Sequence, residues 1–125
     1  KFNVRFNTKY KSTDLKKKLN KIINSIAKKQ KCTAKIEYRV SGEAFYTEPN
    51  KDILMVKNVI KKVTRLSAKL NCRGGTSDSR FLGSIPRLEL GLRNNSIHQV
   101  NERSSISDLK KLTLIYSNIL KNYFK

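Results

Sequence analysis

The sequence predicts a mixed fold, α+β passing into α/β, on three observations. Apolar residues alternate at a period of two near the start, recur at helical spacing in three longer runs, and are separated by polar segments rich in turn formers. Phe2, Val4 and Phe6 alternate with Asn3, Arg5 and Asn7, the pattern of a half-buried strand. Ser12 and Thr13 offer capping oxygens ahead of Leu15, Leu19, Ile22, Ile23 and Ile26. That spacing predicts a helix with one apolar stripe and with Lys16, Lys17, Lys18 and Lys21 mostly towards water. From Cys32 to Val40 the β-formers Ala34, Ile36, Tyr38 and Val40 share a face, predicting a second strand and therefore a βαβ unit.

Ser41-Gly42 interrupts this pattern, and the expected boundary falls between Val40 and Asn50. Ile53, Val56, Ile60 and Val63 predict a second helix, with Pro49 at its start, where a missing N–H costs nothing. A loop follows around Gly74-Gly75, then a short strand at Leu88 and Leu90, then a polar segment to Arg103. Ser105-Ile106-Ser107-Asp108 reads as a capping box opening a last helix, with Leu109, Leu112, Tyr116, Ile119 and Tyr123 on one face.

A length of 125 residues accommodates one ordinary domain or parts of two. No stretch approaches the ~20 apolar residues of a membrane span, and no secretory signal opens the chain. Lys1 stands where a Met would begin a natural chain and leads straight into the alternation, so a fragment of a longer protein is expected. Cys32 and Cys72 lack CxxC spacing and are expected to be reduced thiols in a cytoplasmic protein. The net charge of +19 would attract polyanions with strong salt dependence. Asp14 is the sole acid in the first 35 residues, yet the lysines are scattered over several elements. Abundant Lys, Asn, Ile, Tyr and Phe also match A/T-rich codons, so nucleic-acid contact is expected to be nonspecific. A small basic nucleic-acid-binding module is the alternative reading; no helix-turn-helix or aromatic RNA motif supports it.

Two segments carry chemistry. Arg73-Gly74-Gly75-Thr76-Ser77-Asp78-Ser79-Arg80-Phe81 combines glycines that let backbone N–H groups approach an anion with the hydroxyl of Thr76, and it is not a P-loop. Asn94-Asn95-Ser96-Ile97-His98-Gln99-Val100-Asn101-Glu102 holds the only histidine. One imidazole falls short of the three or four protein ligands of a closed zinc site. Glu102, four residues on, is a candidate to orient it from outside the ligand set.

Taken in order, Gly74 to Phe81, the Leu88–Leu90 strand, Ile97-His98 with Asn101-Glu102, and the capped helix after Ser105 resemble the end of the dizinc aminoacylase- and carboxypeptidase-type hydrolases. Within that family they look most like the desuccinylases acting on N-succinyl-diaminopimelate. The resemblance runs over essentially the whole chain, and acetylornithine deacetylases and carboxypeptidases are the other members it admits. It implies that residues 1–45 end a lid or dimerisation domain and that residues 46–125 end an α/β catalytic domain. It further implies two zinc ions per active site, with cobalt as a possible substitute, and a homodimer formed through the lid. By resemblance, His98 is a metal ligand, while Gly75, Thr76, Asn94, Arg5, Ser41 and Gly42 contact substrate. Gly91-Leu92-Arg93 lacks the family's usual proline after the glycine, and Arg103 replaces a small residue. The remaining ligands and the general-base glutamate of the family lie upstream of the matched segments. The chain alone is therefore expected to bind zinc weakly and to hydrolyse nothing.

Overall fold

The computed structural model describes residues 1–72, 77–93 and 95–125. Its elements are α1 (Ser12–Lys29), α2 (Lys51–Thr64), a single 3-10 turn at Asp78–Phe81, and α3 (Ile106–Tyr123). The chain forms two units, Lys1–Tyr46 with Gly75–Ile85, and Thr47–Gly74 with Pro86–Lys125.

The predicted strands are absent among the described residues, so the expected βαβ unit and the Leu88–Leu90 strand are corrected. A strand exists only through a ladder of hydrogen bonds to a neighbour, and alternation supplies the face without the partner. No ladder joins residues 2–7 to residues 32–40; Phe2 is 70% and Val4 46% exposed, and Phe6 is half-buried.

In the first unit, α1 starts at Ser12 and its N-cap is Lys11, whose side chain has no oxygen to cap with. The expected capping by Ser12 or Thr13 is replaced by a contact across the sequence. Glu43 accepts from the Ser12 backbone N–H through Oε2 at 3.0 Å and from the Ser12 hydroxyl through Oε1. A carboxylate at the positive end of a helix also favours the macrodipole. The far end closes with a Schellman arrangement: Lys31 N donates to Lys28 O at 3.2 Å and Cys32 N to Ala27 O at 3.0 Å. Lys31 takes the left-handed position usually given to glycine, with φ 53°. Ala27 is the buried residue of this helix, and Leu15, Leu19 and Ile23 are half-buried beside it. Ile22 and Ile26, expected in the stripe, are mostly exposed. Tyr38 lies against the helix, its hydroxyl donating to Asn20 Oδ1 at 2.8 Å.

The Ser12 hydroxyl and backbone N–H, with Lys11 and Lys16 adding charge, hold the Glu43 carboxyl below the ordinary glutamate range. Its folded pKa is thus depressed. The contribution to folding is complete above the unfolded value of roughly 4.3 and is lost as pH falls through the lower folded value. Acid titration is expected to loosen the first turn of α1 before the rest of that helix, read by amide exchange. Glu43→Gln should abolish that early step; an identical acid transition in both chains would contradict the cap.

In the second unit, α2 and α3 pack together and bury Ile53, Val56, Val59 and Ile115. Asn50 caps α2, its Oδ1 accepting from Asp52 N and Ile53 N at 3.0 Å each, which puts Pro49 one residue before the cap. Ser105 caps α3 as predicted, its hydroxyl oxygen accepting from Asp108 N at 3.0 Å. The covered face of α3 centres on Ile115, with Leu112 and Ile119 of the predicted stripe half-buried and Leu109, Tyr116 and Tyr123 largely exposed. Apolar residues span a broad arc of α3, and one neighbouring helix covers only the strip through Ile115. The Tyr116 hydroxyl donates to Leu90 O, tying the segment before the histidine loop to this helix. No helix among the described residues is long and apolar enough to cross a membrane.

Candidate functional site

In the first unit Arg5 lines an open groove of about 500 Å³ with Val4, Phe6, Asn7, Tyr10 and Leu15. A guanidinium beside apolar walls offers a planar donor pair to a carboxylate. Ser41 is exposed and Gly42 half-buried. Gly42 does more than turn the chain. A Cβ there would lie 2.7 Å from Cδ and 3.4 Å from Cγ and Nε of Arg80. Only glycine lets that side chain cross the Ser41-Gly42 backbone. Arg80 also stacks on its neighbour Phe81, with 4.7 Å from the guanidinium carbon to the ring centre. Its Nε and Nη1 are buried with no hydrogen-bond partner among the described residues, a costly arrangement. Gly42→Ala is expected to destabilise the first unit by about 1–3 kcal/mol, the range for overpacking. Repeating it in an Arg80→Ala background should recover most of the loss, read by amide exchange around residues 41–45. Equal penalties in both backgrounds would contradict the contact.

Gly75, Thr76 and Asn94, three of the residues expected to contact substrate, lie outside the described residues. Just after the glycine turn, Ser77 caps the 3-10 turn with its hydroxyl oxygen, which accepts from Ser79 N at 3.0 Å.

The second unit presents His98 on an exposed turn. The backbone there has φ 61° at His98 and φ 65° at Asn101, both left-handed. Histidine and asparagine tolerate this region better than most residues, but each such position still costs on the order of 1 kcal/mol. Hydrogen bonds hold it. Gln99 N donates to Ser96 O at 3.0 Å, and His98 N donates to Glu102 Oε2 at 3.3 Å. Glu102 thus meets the backbone N–H of His98, where the sequence suggests the imidazole ring. The Ser96 hydroxyl accepts from Arg103 N at 3.0 Å and donates to Arg103 O at 3.1 Å. Ser96 carries no sequence signal beyond its place two residues before the histidine, and Arg80 carries none for its passage over Gly42.

Among the described residues no group of three or more His, Cys, Asp or Glu side chains is placed to hold a metal ion. Cys32 and Cys72 are exposed free thiols. The described donor set does not make a zinc centre by itself, because one imidazole leaves most of the coordination sphere unfilled. What the arrangement offers is a single nitrogen donor presented at a fixed backbone angle.

A family model described as Peptidase family M20/M25/M40 matches residues 4–122, and the chain belongs to that family. Among curated proteins it is similar to the succinyl-diaminopimelate desuccinylase of Pelagibacter ubique (strain HTCC1062), with 58% identity over 124 residues, covering 98% of this chain and 32% of the relative. The proteins of the same name from Rickettsia bellii (strain RML369-C) and Psychrobacter arcticus are 36% and 38% identical over 120 and 123 residues. Those matches cover 95% and 97% of this chain, and 31% and 30% of the relatives. The chain spans about a third of the length of the curated relatives it matches.

Proposed function

We propose that the chain forms part of a zinc-dependent amidohydrolase that removes succinate from N-succinyl-diaminopimelate, and that His98 supplies one metal ligand as neutral imidazole. The observation that carries this reading is the 58% identity over 124 residues to a protein named for that reaction. The polar turn that fixes the His98 backbone supports the choice of residue. In this reading residues 1–45 belong to a lid through which the whole protein dimerises, and residues 46–125 belong to its catalytic domain. Arg5 binds a substrate carboxylate through its guanidinium fork, and Ser41, Gly42, Gly75, Thr76 and Asn94 are the further substrate-binding residues of this reading. Two zinc ions, replaceable by cobalt, supply Lewis acidity when bound. The chain contributes one imidazole to them, so alone it hydrolyses nothing. The whole protein works in the cytoplasm on a small-molecule substrate.

A chimera tests this. The matching third of the Pelagibacter ubique relative is replaced by this chain, and hydrolysis of N-succinyl-diaminopimelate is compared with that of N-acetylornithine. Preferential release of succinate is expected, and none from the 125-residue chain alone. A folded chimera that cleaves neither substrate, or prefers the acetyl one, would overturn the assignment.

A further inference from the structure

The turn carrying His98 lacks an apolar anchor. Ile97 is 57% and Val100 91% exposed, so burial of these two neighbours does not hold the loop in place. Two of its residues nevertheless sit in the left-handed region, which a short unanchored loop would leave by relaxing. Something polar must close it. The half-buried Ser96 hydroxyl does so, taking the Arg103 N–H at 3.0 Å and giving its own proton to the Arg103 carbonyl at 3.1 Å. One side chain thereby satisfies both backbone groups of a residue seven positions away, as a bridge between two strands would.

We propose that Ser96 is a positioning residue for His98, acting as a clasp that fixes the direction in which the imidazole is presented. Both clasp bonds go to the Arg103 backbone, and its side chain adds a separate, longer bond, from Nη1 to Asn101 O at 3.4 Å. Glu102 adds an inner restraint on the His98 N–H at 3.3 Å, longer than either clasp bond. This inference rests on the reading of His98 as the functional donor for its purpose, but not for its geometry. It can therefore fail or succeed independently of zinc and of the succinyl substrate.

His98 is the only histidine of the chain, so its ring gives a single set of NMR signals in the full 125-residue protein. The unsubstituted chain is expected to show the strong intraresidue amide–Hα contact of a positive φ at His98, a protected Arg103 amide, and a restricted ring by Cε1–H relaxation. Ser96→Ala should lower Arg103 protection by about tenfold, the loss expected for one hydrogen bond, and free the ring. Ser96→Thr keeps the hydroxyl and should restore both within about twofold. Contacts between α2 and α3 serve as the folding control in every variant. Three results would overturn the proposal: a ring whose order is unchanged by Ser96→Ala, a failure of Ser96→Thr to rescue it, or an unrestricted His98 in the unsubstituted chain.

Discussion

His98→Asn and His98→Ala are each expected to reduce succinate release by the chimeric hydrolase by more than about 10³-fold, a barrier increase of over about 4 kcal/mol. Two substitutions are needed because His98 occupies a left-handed position, with φ 61°. Alanine removes the nitrogen donor and also adds backbone strain, whereas asparagine adopts that region readily. Equal losses from both would assign the effect to the missing imidazole. If asparagine kept most of the activity while alanine lost it, the residue would matter for the loop's shape alone.

The second large effect concerns folding. Ile115→Ala is expected to remove about 2–5 kcal/mol, the range for emptying a buried isoleucine site. Ile115 is 5% exposed and lies in the α2–α3 packing with Ile53, Val56 and Val59, the other buried residues described in its unit. A core this small has little to spare, since small domains retain only a few kcal/mol of net stability. Thermal unfolding of the substituted chain, followed by circular dichroism, should therefore show the α2–α3 signal melting without a cooperative step. Tyr116→Phe, which removes the bond to Leu90 O at an exposed position, should shift the midpoint only slightly. A cooperative transition retained in Ile115→Ala would contradict the packing described.

What the sequence made legible was local. The cap of α3 is written in neighbouring residues, Ser105 serving the third N–H after it; α2 is capped as locally by Asn50, where the sequence predicts Pro49 at the helix start. Helical periodicity located the three α-helices among the described residues. It erred on which face is covered, because Ile22, Ile26, Leu109 and Tyr116 satisfy the same spacing as their buried neighbours. Periodicity states that a residue is able to be buried; the neighbour decides whether it is. The strands failed for the same reason, since alternation at Phe2, Val4 and Phe6 names a face and not a partner.

The site divides along the same line. Its candidate histidine was legible as the only one in a polar turn, and its family through the order of short motifs. The parts that were not legible join residues far apart or through the backbone. Glu43 caps a helix that begins 31 positions earlier. Arg80 explains Gly42 by passing over it. The contacts of Ser96 are with the backbone of Arg103, so nothing about the identity of residue 103 advertises them.

The most direct test counts zinc bound to the chimera by elemental analysis, with and without His98→Asn. If the His98 nitrogen is a ligand, the unsubstituted protein retains two zinc ions per active site through dialysis, and the variant retains one or fewer. Full zinc occupancy in the variant, with succinate still released at the original rate, would show that the metal centre does without this imidazole.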